Sequence, residues 1–86
     1  MTFRKELMKR EIGGEFFLVP LGKTVYETNG LFFLSELAAF IWDKIPEAET
    51  ETDIVNAVLA EYEVDEETAK KDVADFIAKL KEMNIL

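Results

Sequence analysis

The run Leu31-Phe32-Phe33-Leu34-Ser35-Glu36-Leu37-Ala38-Ala39-Phe40-Ile41-Trp42 changes its hydrophobic period midway, and that change decides the architecture. Leu31 to Leu34 is apolar throughout and short, which suits a strand. Beyond it Leu37, Ala38, Ile41 and Ile45 recur at helical spacing, with Phe40 and Trp42 alongside, until Pro46 ends the helix. Ser35 stands at the junction. Its hydroxyl can accept a hydrogen bond from a free backbone N–H of the first turn, so it reads as an N-cap.

Upstream, the chain reads as strands. Leu7-Met8-Lys9-Arg10-Glu11-Ile12 alternates loosely between apolar and charged residues, and Gly13-Gly14 follows as a turn. Glu15-Phe16-Phe17-Leu18-Val19-Pro20 is rich in aromatic and β-branched residues, so the two runs predict a hairpin about the glycine pair. Leu21 to Gly30 is a polar connection closed by Asn29-Gly30, itself a turn signal.

Downstream, the chain reads as helices. Thr50 and Asp53 have capping-box spacing, and Ile54, Val55, Val58, Leu59 and Tyr62 form the stripe of a second helix. Asp65 is placed to cap a third, whose buried face is expected at Ala69, Val73, Phe76, Leu80 and Met83. The expected elements are strands at about 7–12, 15–20 and 31–34 and helices at about 36–45, 51–62 and 66–83. This is an α+β domain, a three-stranded antiparallel β-sheet followed by three α-helices, occupying residues 1–86 as one unit.

Composition narrows the function. Cysteine and histidine are absent, which removes thiol nucleophiles, imidazole bases and the usual zinc ligands, so the chain is expected to be no enzyme and to carry no cofactor or metal. Acidic pairs such as Glu61 and Glu63 or Glu66-Glu67 read as solvated charges at helix ends. The net charge of −8 repels a phosphate backbone, so no nucleic acid is expected as a partner. No apolar run approaches the roughly 20 residues a membrane span needs, and the N-terminus has no apolar signal core. The expectation is a cytoplasmic, unprocessed chain with no membrane contact.

The segment Leu31 to Trp42, with its Ile41-Trp42 pair, resembles the strand-to-helix junction of the PqqD-like proteins, the peptide-recognition elements of ribosomally made, modified peptides. Asp53-Ile54-Val55, Tyr62-Glu63-Val64 and Asp72-Val73 through Phe76-Ile77 to Leu80 are similar to the helical half of that family. Ser35 stands where the family commonly has Asn, another good cap. The resemblance implies a winged helix-turn-helix-like fold that binds the leader segment of a precursor peptide. The leader adds as a strand to the third β-strand, packs on the third helix, and is presented to a modifying enzyme, often a radical S-adenosylmethionine (radical SAM) enzyme.

The residues can support such a role. Leu31, Phe32, Phe33 and Leu34 carry neither charge nor proline, the usual devices that blunt a sheet edge. On the third helix, Lys70, Ala74, Ile77, Ala78 and Lys81 lie about 40 to 140° from Val73, a flank with an isoleucine expected to lean outward, two small alanines and two lysines. These nine residues are the expected peptide site, with the lysines attracting an acidic peptide. The same open edge allows either a monomer or a strand-exchanged homodimer. Two other functions fit parts of the chain. A DNA-binding winged helix would put Asp65-Glu66-Glu67 against phosphates, and an acidic carrier protein would need Ser35 for a phosphopantetheine arm in a four-helix fold.

Overall fold

The computed structural model describes residues 1–27 and 31–86; the expected Asn29-Gly30 turn lies outside them. The element order is β1 (Leu7–Ile12), β2 (Glu15–Pro20), α1 (Thr24–Glu27), β3 (Phe32–Leu34), α2 (Glu36–Lys44), a 3-10 turn (Ile45–Glu47), α3 (Glu51–Glu61) and α4 (Glu66–Glu82). The strands form one antiparallel sheet in the order β1-β2-β3. Three strands followed by helices is the α+β architecture that the period change predicts. The one-turn helix α1 was not expected. Four residues are too few to display a helical period, and the stretch looks like polar connection.

Gly13 and Gly14 close the β1–β2 hairpin, with φ of 60° and 84°. A two-residue turn with both central φ positive twists in the same sense as the strands it joins. Nothing lies near where a Cβ would project at either glycine, so the backbone angle, not crowding, demands glycine there.

Register divides the side chains between two faces. Leu18 sits opposite both Lys9 and Phe32, and Phe16 opposite both Glu11 and Leu34. This face, with Leu7, turns toward the helices, and Leu18 and Leu34 are buried there. Lys9 lies over the Phe16 ring and reaches Asp43 of α2 with its ammonium, keeping its stem on apolar surface and its charge at the margin. On the opposite face Phe17 and Phe33 meet edge to face, with ring centroids 5.9 Å apart.

The core lies between that sheet face and the helices. Ile41, Ile45, Ile54, Val58, Val73, Ile77 and Leu80 are fully buried. Trp42 is buried and stacks on Phe3, centroids 4.4 Å apart. Each long helix begins on the cap its sequence announces. Ser35 Oγ accepts from the Ala38 N–H at 3.1 Å, Thr50 and Asp53 form a reciprocal capping box, and Asp65 accepts from the Thr68 N–H at 2.7 Å.

Helix α4 ends in a Schellman motif. Asn84 has φ 58°, its N–H donates to Lys81 O, and the Ile85 N–H donates to Leu80 O at 2.9 Å. The turn drives Ile85 into the core beside Leu80. Before β1, the Arg4 N–H donates to Ile85 O at 2.8 Å, tying the first residues to the end of α4. Among the described residues no helix is long and apolar enough to cross a membrane.

Candidate functional site

The two edges of the sheet differ in character. β1 carries Lys9, Arg10 and Glu11, charges of the kind that discourage strand pairing. β3 carries Phe32, Phe33 and Leu34 and, among the described residues, pairs only with β2. An antiparallel pair uses alternate backbone groups of each strand, so the other half of the β3 groups point outward. Among the described residues, no backbone hydrogen bond from outside the sheet reaches Leu31 to Leu34. The edge is open.

Side chains along this edge alternate. Leu34 is 4% exposed and Phe32 half-buried on the inner face, whereas Phe33 is 63% exposed on the outer one. Leu31, just before the strand, is also exposed. Their apolar character is therefore not all core.

Where β3 ends, a groove begins. It is a cavity of about 370 Å³ between the first turns of α2 and the middle of α4, lined by Ser35, Leu37, Ala38 and Ile41 on one side and by Asp72, Asp75, Phe76 and Lys79 on the other. Leu37, Ala38 and Phe76 are half-buried there, while Ile41 closes the floor. The Ser35 hydroxyl is occupied in capping α2. The site is thus a strip of free backbone continuing into an apolar trough with charged groups on its α4 rim. Such a pairing suits an extended chain, whose backbone can extend the sheet while alternate side chains enter the trough.

This groove is not on the α4 flank expected from the sequence. Ile77, expected to lean outward, is 0% exposed and belongs to the core. The buried stripe is Ala69, Val73, Ile77 and Leu80, with Phe76 and Met83 half-buried at its margin. Relative to Val73, the groove residues Phe76, Asp72 and Lys79 lie at about −60 to −120°, opposite in sense to the expected flank. Of that expected flank, Lys70 and Ala74 line a different hollow, of about 300 Å³, against Glu51, Thr52, Val55 and Asn56 of α3. Lys70 also pairs with Glu66 at 3.3 Å, and Ala78 and Lys81 are exposed. The structure thus keeps Leu31 to Leu34 together at one edge and does not bring Lys70, Ala74, Ile77, Ala78 and Lys81 to it. Leu37, Ala38, Ile41, Asp72, Phe76 and Lys79 line the trough that follows that edge.

Charges elsewhere serve the fold. Hydrogen bonds from the backbone of Glu49 and Thr50 hold Asp53 below the usual carboxylate range, and the Thr68 N–H does the same for Asp65. Burial, then the nearby Glu36 and Glu61 carboxylates, raise the Tyr62 phenol. Asp65, Glu66 and Glu67 cluster at the start of α4, where a helix dipole favours carboxylates and a DNA phosphate would be repelled. After α4 the chain turns back and buries Ile85 in the core.

The family model for coenzyme PQQ synthesis protein D (PqqD) matches residues 18–86, from the middle of β2 through all three long helices. The chain belongs to the PqqD family. Among solved structures, this PqqD-family chain is similar to one described as TbiB1 in complex with the TbiA(beta) leader peptide. The TM-score is 0.76 at 29% identity, covering 100% of this chain and 94% of the other. A lasso peptide synthetase B1, complexed with the leader peptide, matches with TM-score 0.73 at 23% identity, over 98% of this chain and 93% of that one, and shows the shared fold. No curated protein matches.

Proposed function

We propose that this PqqD-family domain is a non-catalytic peptide-binding module. It takes the leader segment of a ribosomally synthesised precursor peptide as a fourth strand on β3 and presents it to a modifying enzyme. The observation that carries this reading is the open, uncharged β3 edge running directly into the trough between α2 and α4. Leader-peptide complexes of two proteins with this fold support it. Tethering is the whole contribution to chemistry: a held substrate is present at high effective concentration where the partner enzyme works. The radical SAM class of that enzyme, a cytoplasmic setting and the action of residues 1–86 as one domain belong to the same proposal.

The peptide contacts are Leu31 to Leu34 through backbone and Phe33 side chain, and Leu37, Ala38, Ile41 and Phe76 through the trough. Isothermal calorimetry with the N-terminal segments of precursor peptides encoded beside the gene tests this. The decisive version scans a binding peptide with single backbone N-methyl groups. Strand addition requires losses that alternate with a period of two along the peptide, each about 1 to 3 kcal/mol, or on the order of 5- to 150-fold in Kd. Losses without that alternation, or Phe33→Pro and Ala38→Arg variants that bind as tightly as the parent, would place the peptide elsewhere.

A further inference from the structure

The α4 wall of the trough has opposite charges at its two ends. Asp72 and Lys79 are seven residues apart, roughly 10 Å along the helix, with Phe76 between them. Asp72 is half-buried and, among the described residues, has no ion-pair partner. Asp75, the other rim carboxylate, is already engaged by Lys71 at 3.3 Å. An extended chain covers that separation in about three residues. We infer that the trough reads both composition and direction: the peptide carries a Lys or Arg that meets Asp72, an apolar anchor beside Phe76, and an acidic residue about three positions from the basic one that meets Lys79. A peptide lying the other way would bring like charges together at both ends of the trough. Asp72 and Lys79 thus determine specificity, and the backbone edge supplies sequence-independent grip. This inference rests on the strand-addition reading above and adds the charge order of the guest, a basic residue where the sequence alone suggested an acidic peptide drawn by Lys70 and Lys81.

The test is selection of a displayed library of short random peptides on the immobilised protein, in parallel on the parent, Asp72→Lys, Lys79→Glu and Glu82→Lys. Glu82 is exposed and is not among the residues that line the trough, so Glu82→Lys makes the same change in net charge as Asp72→Lys without altering a lining side chain. The parent is expected to enrich Lys or Arg about three- to tenfold at one fixed offset from an apolar position, the scale of a partly shielded ion pair. Asp72→Lys switches that offset to Asp or Glu, Lys79→Glu switches the opposite one, and Glu82→Lys leaves both unchanged. Basic residues enriched at no fixed offset, or a Glu82→Lys pool that shifts as far as the Asp72→Lys pool, overturn the inference while leaving the groove. Enriched peptides with no shared apolar position, or no enrichment on any of the four proteins, defeat the groove reading itself and this inference with it.

Discussion

Ile77 and Phe76 are neighbours in sequence, about 100° apart around α4, and opposite behaviour is expected on truncating each to alanine. Ile77 is completely enclosed, so Ile77→Ala removes apolar contact and leaves a void, at about 3 kcal/mol within the usual 2–5 range for such a change. An 86-residue domain is stable by roughly 4 to 13 kcal/mol, so this is a large fraction. The melting temperature should fall by about 12 to 24 °C. Phe76→Ala, on a half-buried ring, should cost about 1 to 2 kcal/mol but open the trough. Unfolding can be followed by fluorescence of Trp42, the only tryptophan, buried against Phe3. Peptide affinity, measured well below both melting points, should be unchanged in Ile77→Ala and at least about tenfold weaker in Phe76→Ala. A Phe76→Ala protein less stable than Ile77→Ala, or an Ile77→Ala protein of parental stability with lost binding, would mean that the other flank of α4 faces the guest.

Acid should erode stability through the helix caps. The folded-state pKa values of Asp53 and Asp65 lie below the ordinary 3.8, so their contribution is complete above that value and disappears as pH falls through the lowered ones. In chemical denaturation the difference between parent and Asp65→Asn should therefore shrink as pH drops below about 3.8; a constant difference refutes the assignment. Ser35→Ala should cost about 1 kcal/mol and Ser35→Asn almost nothing, since both native hydroxyl and amide can cap α2. Gly13→Ala should destabilise by about 1 to 2 kcal/mol through its positive φ alone, and Asn84→Gly should stabilise by about 0.5 to 1 kcal/mol in urea titrations, because glycine enters the same region without strain.

The architecture was readable from local signals, each tied to a physical device that the structure reproduces. The glycine pair specifies a turn with positive φ, Ser35, Thr50 and Asp65 announce helix starts, and the period change after Leu34 separates sheet from helices. The β3 half of the proposed site was legible for a similar reason, since an uncharged strand without proline is conspicuous. The α4 half was not. A helical wheel has two flanks at equal angles from its buried stripe, and which one meets the sheet depends on how the helix lies on the core, a long-range property. The expected buried face also took in Phe76 instead of Ile77, two apolar residues on either side of the stripe. Lys70 and Lys81 are the cations visible on one flank, and Asp72 and Lys79 lie on the other.

The unlike margins of the sheet also govern how copies of the chain can meet. A β3-to-β1 contact would repeat head to tail and propagate into a filament, but β1 meets it with Lys9, Arg10 and Glu11. A β3-to-β3 contact is two-fold and consumes both bare margins at once, leaving only charged strands outside. Self-association through this sheet therefore terminates at a pair, and it competes for the same hydrogen-bonding groups as any guest strand.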